Sequence, residues 1–153
     1  KEKAIKIAYD IINIFNGVGM FCVEFFVTKS GEVLVNEIAP RPHNSGHYTI
    51  EGCITSQFEN HIRAILGLPL GSTNLINPTV MINLLGEEGY KGDAVVSGIV
   101  DTLNIENIFV HIYGKKQTVP KRKMGHLTCI MPTLEEADKN AINAYNKIKF
   151  ICD

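Results

Sequence analysis

Long apolar runs are missing from this sequence. The stretches that come nearest, such as Cys22 to Val27 interrupted by Glu24, fall far short of the ~20 residues that a membrane-spanning helix needs. That excludes a helical membrane span, and the start of the chain carries no signal-peptide pattern. An excess of one charge is also missing. The net charge is −1, so no overall field draws in nucleic acid. Cysteine is scarce, and Cys22, Cys53, Cys129 and Cys152 lie too far apart for a zinc knuckle or a redox pair. Cys22 and Cys129 sit in apolar, strand-like stretches and read as small core residues, which suits a reducing cytoplasm. A glycine-rich phosphate loop is absent as well. The only glycine-dense loop, Gly86 to Gly92, is acidic and poorly suited to phosphate.

What is present is an ordinary globular balance, with 45% hydrophobic and 20% charged residues. A chain of 153 residues suffices for one domain or two small lobes. Ala4, Ile5, Ile7, Ala8, Ile11, Ile12, Ile14 and Phe15 recur at helical spacing over residues 2–16, with Gly17 and Gly19 marking the end. A strand over Val18 to Thr28 and another over Glu32 to Ile38 flank Ser30-Gly31, a hairpin signal. Residues 39–51 read as a loop, because Pro40 and Pro42 remove ladder donors. Ser56-Gln57-Phe58-Glu59 is a capping box that opens a helix. Phe58, Ile62, Ile65 and Leu66 supply its expected buried stripe and Gly67 its stop.

Gly, Pro and Asn concentrate over residues 67–79 and suggest a boundary. It divides the chain into a first domain, 1–75, and a small second domain, 76–153. In the second, Val80 to Leu85 reads as a buried strand and residues 86–94 as an exposed loop. Val95 to Ile105 stays ambiguous. Strands over Ile108 to Tyr113 and His126 to Met131 flank a basic loop. A second capping box, Thr133 to Glu136, opens an amphipathic helix through Ala137, Ala141, Ala144, Tyr145 and Ile148. The expected class is α/β (α+β), with an antiparallel sheet and flanking helices, then a small strand and helix lobe.

The hairpin carries the sharpest chemical inference. A two-residue turn at Ser30-Gly31 sets Lys29 against Glu32, Val27 against Leu34, Phe25 against Asn36 and Glu24 against Glu37. Facing residues share one face, with Cβ atoms ~4.5–5.5 Å apart. Two carboxylates so placed repel, and a divalent cation is their natural stabiliser. Mg²⁺ favours a few carboxylates completed by phosphate oxygens. The competing account is a half-exposed strand pair with two solvated glutamates. Next comes Ala39-Pro40-Arg41-Pro42-His43-Asn44-Ser45-Gly46-His47. Here prolines stiffen a loop that holds a guanidinium, two imidazoles, an amide and a hydroxyl. Arg41 can hold phosphate oxygens bidentately. The loop can also be read as ordinary turn formers.

Val35 to His47 resembles the signature segment of the 5-(carboxyamino)imidazole ribonucleotide synthetases, a family of ATP-grasp enzymes. The similarity runs on through Thr55 to Glu59 and Arg63 to Leu70. It returns at Tyr113-Gly114-Lys115 and Arg122 to His126. The resemblance implies the C-terminal half of an ATP-grasp domain. It implies Mg-ATP, with Mg²⁺ or Mn²⁺, and bicarbonate as co-substrate. The implied reaction is carboxylation of 5-aminoimidazole ribonucleotide, giving ADP and phosphate, in purine biosynthesis. Glu24 and Glu37 would be the metal ligands, and Asn36 and Glu37 would lie at the nucleotide. Arg41 and His43 would act catalytically. Asn44, Ser45, Lys115 and Arg122 would bind the ribonucleotide, the last two at its 5′-phosphate.

Two departures stand out. Ala39 replaces the asparagine that many ATP-grasp enzymes use as a further metal ligand. A longer segment before Arg122 leaves Lys115 and Lys116 both open. The resemblance further implies a homodimer and an N-terminal part of the same enzyme, with this piece inactive alone. Two alternatives remain: a formate-dependent glycinamide ribonucleotide transformylase, which shares Pro-Arg-Pro-His, and a non-catalytic assembly module. The lysine and arginine cluster at 115–123 is otherwise a solvated face.

Overall fold

A computed structural model describes residues 1–153. The chain divides into two compact units, residues 1–50 with 54–74 and residues 51–53 with 75–153. The elements of the first unit are α1 (Glu2–Phe15), β1 (Cys22–Val27), β2 (Val33–Ala39), a 3₁₀ turn at Asn44–Gly46 and α3 (Gln57–Ile65), with a one-turn helix α2 (Thr49–Gly52) where the chain passes between the units. Proline-rich composition thus ends at a turn and a short helix rather than a continuous loop. Helix α1 stops at Asn16, which takes the left-handed conformation (φ 46°) and donates to the Ile12 carbonyl. The asparagine performs the role expected of the glycines that follow it.

Strands β1 and β2 form an antiparallel pair. The turn differs from a two-residue hairpin. The Thr28 N–H donates to the Glu32 carbonyl and the Gly31 N–H to the Thr28 carbonyl, each at 2.9 Å. Lys29, Ser30 and Gly31 therefore form a three-residue loop, with Gly31 at φ 81°, the geometry that calls for glycine at the last position. The Thr28 hydroxyl braces it, accepting from the Glu32 N–H at 2.9 Å.

This shifts the register by one residue near the turn. Val27 pairs with Val33, Phe26 with Leu34 and Phe25 with Val35, not with the partners a two-residue turn gives. A bulge then absorbs Asn36, and Glu24 pairs with Glu37, Val23 with Ile38 and Cys22 with Ala39. Loop and bulge offset one another.

Helix α3 begins as the capping box requires, with the Ser56 hydroxyl accepting from the Glu59 N–H at 3.1 Å. It ends in a Schellman motif: Leu68 N–H to the Arg63 carbonyl and Gly67 N–H to the Ala64 carbonyl, with Gly67 at φ 67°. Its packing inverts the expected stripe. Phe58, Ile62, Ile65 and Leu66 are exposed, and the buried residues are the polar Gln57 and Asn60. Those two side chains satisfy loop backbone, which apolar groups cannot do. Asn60 exchanges two hydrogen bonds with Gly71, accepting from its N–H at 2.8 Å.

The second unit holds the denser core. Strands β3 (Thr79–Leu85), β6 (Ile108–Ile112) and β8 (Lys123–Ile130) form an antiparallel sheet in the order β3-β8-β6. Two-stranded pairs join β4 (Gly92–Asp93) to β7 (Gln117–Thr118) and β5 (Val95–Ser97) to β9 (Lys149–Ile151). The ambiguous segment at Val95 resolves into β5 followed by α4 (Ile99–Leu103).

Helix α5 (Leu134–Lys147) packs on the sheet through Ala137, Ala141 and Ala144, all wholly buried. Small side chains let its backbone approach Leu84, Leu127, Ile148 and Phe150 in the core. Thr102 of α4 is also wholly buried. Its hydroxyl reaches the Gly98 carbonyl at 2.9 Å and the Ala144 carbonyl at 3.4 Å, tying α4 to α5. No helix in the chain is long and apolar enough to cross a membrane.

Two outcomes are expected. Gly98 sits at φ 77°, and a Cβ there would collide with the Lys147 carbonyl. Gly98→Ala should lower stability by more than about 2 kcal/mol, read as a fall in the denaturant midpoint. Burial pushes the thiols of Cys53 and Cys129 up in pKa and hides both, while Cys22 and Cys152 are only half-buried. Alkylation of the native chain should therefore mark Cys22 and Cys152, with Cys53 and Cys129 reacting only after denaturation.

Candidate metal and nucleotide site

In the first unit, β1 and β2 place Glu24 directly opposite Glu37. The strand pair sets both carboxylates on one face, and the bulge at Asn36 makes that register possible. Asn36 and Glu37 are exposed and Glu24 is half-buried. The chain then turns through Ala39, which is buried, into the loop that carries Arg41 and His43.

His43 closes over this face. Its Nδ1 lies 3.6 Å from a Glu24 carboxylate oxygen and 2.9 Å from the Ser45 hydroxyl. Cys22, two residues before Glu24 on the same face, brings its Sγ to 3.5 Å from that hydroxyl. Cys22 is thus not the core residue its apolar neighbours suggest; it stands at the edge of the site.

The loop keeps this shape because Gln57, at the first turn of α3, clamps it. Gln57 Oε1 accepts from the His43 N–H at 2.9 Å, and Nε2 donates to the His43 carbonyl at 2.8 Å. The same amide group lies 3.0 Å from His47 Nδ1, and His47 stacks on Phe58 with ring centroids 5.6 Å apart. Gly46 is required because a Cβ there would collide with the Gln57 amide. The carbonyl of Asn44 accepts from the His47 N–H at 3.1 Å, closing the turn. Arg41 points outward, donating to the Pro42 carbonyl at 3.0 Å. His61 holds the chain leading into β1, its Nδ1 accepting from the Met20 N–H at 2.9 Å.

Lys115 and Arg122 belong to the second unit, on the segment from β6 through β7 into β8. The Lys115 ammonium donates to the Lys123 carbonyl at 2.5 Å and lies 5.8 Å from the centre of the Tyr113 ring. Arg122 donates to the Gln117 carbonyl at 3.1 Å. Both cations are therefore held by backbone oxygens, those of Lys123 at the start of β8 and Gln117 in β7. Lys116 is exposed, and its carbonyl accepts from the Ala94 N–H at 2.8 Å.

Beside them runs a polar network that sequence reasoning missed. The Tyr113 hydroxyl meets His126 Nδ1 at 2.9 Å. His126 stacks on His111 at 4.4 Å, and His111 Nε2 meets Glu51 at 2.6 Å. A signal for half of it was available: Tyr113 and His126 each lie inside segments that carry the family resemblance.

Both parts of the chain are similar to known proteins. An ATP-grasp domain model matches residues 1–58, so the first unit is part of an ATP-grasp fold. A model of the phosphoribosylaminoimidazole carboxylase C-terminal domain matches residues 79–140. N5-carboxyaminoimidazole ribonucleotide synthase of Bacillus subtilis is 49% identical over 128 residues, covering 84% of this chain and 32% of that protein.

Among solved structures, the synthetase of Thermotoga maritima superposes with a TM-score of 0.90 at 55% identity, covering 99% of this chain and 42% of the other. The Aspergillus clavatus synthase, solved with ADP and 5-aminoimidazole ribonucleotide, gives a TM-score of 0.81 at 37% identity, with 95% and 40% covered. The chain belongs to the N5-carboxyaminoimidazole ribonucleotide synthetase family. It spans about a third of the Bacillus subtilis relative's length.

The clamp gives a direct test. Gln57→Leu should remove three polar contacts from a buried position and leave the His43 N–H unpartnered, while its carbonyl keeps the Gly46 N–H, costing about 1–3 kcal/mol. Hydrogen exchange of the 43–47 amides should quicken in the variant while β8 amides stay protected.

Proposed function

We propose that this chain is the metal-binding and ribonucleotide-binding part of an ATP-dependent ligase. The reaction carboxylates 5-aminoimidazole ribonucleotide with bicarbonate, giving 5-(carboxyamino)imidazole ribonucleotide, ADP and phosphate. The observation that carries the reading is Glu24 facing Glu37 beneath the clamped His43 loop. Support comes from the Aspergillus clavatus relative, whose structures hold ATP in one case and ADP with the aminoimidazole ribonucleotide in another.

Two facing carboxylates offer the hard oxygen donors that Mg²⁺ takes in small number beside phosphate, so the residues fit the ion. Glu24 and Glu37 would hold it, and when bound it neutralises phosphate charge. Asn36, extruded by the bulge beside Glu37, contacts the nucleotide in this reading. Arg41 and His43 present cationic and hydrogen-bonding groups to the transferring phosphoryl group and to bicarbonate. A guanidinium suits the planar oxygens of both. Asn44 and Ser45 contribute donors to the ribonucleotide. Lys115 and Arg122, steadied by the Lys123 and Gln117 carbonyls, answer the charge of the 5′-phosphate.

In this reading bicarbonate attacks the γ-phosphorus of ATP and ADP departs. The exocyclic amine then attacks the activated carboxyl carbon and phosphate leaves. Magnesium, bicarbonate and homodimeric assembly are parts of the same reading. So is a further segment of the parent protein that covers the ATP phosphates.

The test uses a full-length protein containing this chain. Phosphate release from Mg-ATP should require both bicarbonate and aminoimidazole ribonucleotide, and Glu37→Gln should lower it about 100-fold or more. Release with glycinamide ribonucleotide and formate instead would move the reaction to a transformylase. Absence of release with either substrate would favour an assembly module.

A further inference from the structure

Cys22, Glu24 and His43 form a donor set that the carboxylation chemistry does not use as a group. Sγ of Cys22, a carboxylate oxygen of Glu24 and a ring nitrogen of His43 all lie within 4.8 Å of one another. Zinc bonds of about 2.0–2.3 Å to sulfur, nitrogen and oxygen, arranged tetrahedrally, set neighbouring ligand atoms about 3.5 Å apart. The three atoms therefore need only small side-chain rotations to share one ion. All three side chains are half-buried, with 16% of the His43 side chain and 39% of that of Glu24 exposed. The site is thus partly shielded yet open to an ion from solvent.

The imidazole is oriented for ligation. Its Nδ1 lies 2.9 Å from the Ser45 hydroxyl and accepts the Ser45 backbone N–H at 3.4 Å, and a bound ion would take over that lone pair. The backbone of His43 is fixed on both sides by Gln57, so the ring does not depend on metal for its position. Nδ1 stands 3.6 Å from the Glu24 oxygen, close to the spacing of two ligand atoms on one tetrahedral ion. Ser45, whose hydroxyl touches both Cys22 and His43, stands where a bound ion would displace it or draw it in as an oxygen neighbour.

We propose that Cys22, Glu24 and His43 form a binding site for a thiophilic divalent cation such as Zn²⁺. The softness of the set separates it from a magnesium site. A thiolate and an imidazole select zinc and its neighbours in the transition series over magnesium, which takes oxygen donors. Binding deprotonates the Cys22 thiol, and the proton leaves to solvent. Three protein ligands leave the fourth position open to water. None of this depends on the reaction assigned above.

Cobalt(II) serves as the probe, because thiolate ligation produces an intense near-ultraviolet charge-transfer band that oxygen and nitrogen ligation does not. Titration of the chain with Co²⁺ alone should give this band with one ion per chain. Cys22→Ser should abolish it, and Cys152→Ser should leave it unchanged. Zn²⁺ should bleach the band and slow alkylation of Cys22 at least tenfold while Cys152 reacts as before. This protection measurement needs no substitution and so stands even if a variant folds poorly. A band that survives in Cys22→Ser, or Cys22 alkylation that Zn²⁺ does not slow, would overturn the proposal.

Discussion

Two carboxylates facing each other across a strand pair repel, and the structure must hold them together against that repulsion. In the first unit this falls to the backbone hydrogen-bond ladder rather than to side-chain contacts. The ladder between β1 and β2 fixes the Cα positions of Glu24 and Glu37. The bulge that admits Asn36 sets which residues meet. A strand pair without the bulge, closed by the same three-residue turn, would put Asn36 opposite Glu24 and move Glu37 to the other face. The rest of the site follows from this constraint. The loop after Ala39 must return over the carboxylate face, and it does so because Gln57 holds its backbone.

The two units balance polar and apolar forces differently. The second rests on burial: the sheet β3-β8-β6 and α5 enclose Leu84, Met124, Leu127 and Phe150 almost completely. The segment that carries Lys115 and Arg122 grows from this buried base. The first unit has few buried side chains, among them Ala39, Gln57 and Asn60. It exposes Phe26, Val27 and much of the apolar surface of α3. Its order comes from hydrogen bonds of loop backbone to buried amides, each specific in direction.

Much of this was legible in the chain itself. Capping boxes at Ser56 and Thr133 marked two helix starts, an apolar run marked β3, and a strand-like stretch marked most of β8. The run from Val35 to His47 carried the family. The Glu24 and Glu37 pairing was legible too, although the route was incomplete. A two-residue turn without a bulge and a three-residue turn with one lead to the same pairing, and a period of two cannot tell them apart.

Other features were hidden for physical reasons. The stripe of Phe58, Ile62 and Ile65 looks like a buried face, because periodicity reports amphipathicity and not which face is covered. Gln57 was masked by its place inside a capping box, where Ser56 and Glu59 carry the recognised signal. The stack of His111 on His126 and its link to Glu51 join residues far apart in sequence. Only the register of β6 against β8 brings those rings together.

The account turns on whether Glu24 and Glu37 hold one metal ion beside the nucleotide. Electron paramagnetic resonance of Mn²⁺ in the presence of ADP, on a full-length protein containing this chain, measures this most directly. One bound Mn²⁺ per chain is predicted. It should be lost in Glu24→Gln and in Glu37→Gln and kept in Glu32→Gln, which alters a carboxylate at the hairpin turn. Full Mn²⁺ binding by either of the first two variants would contradict the account.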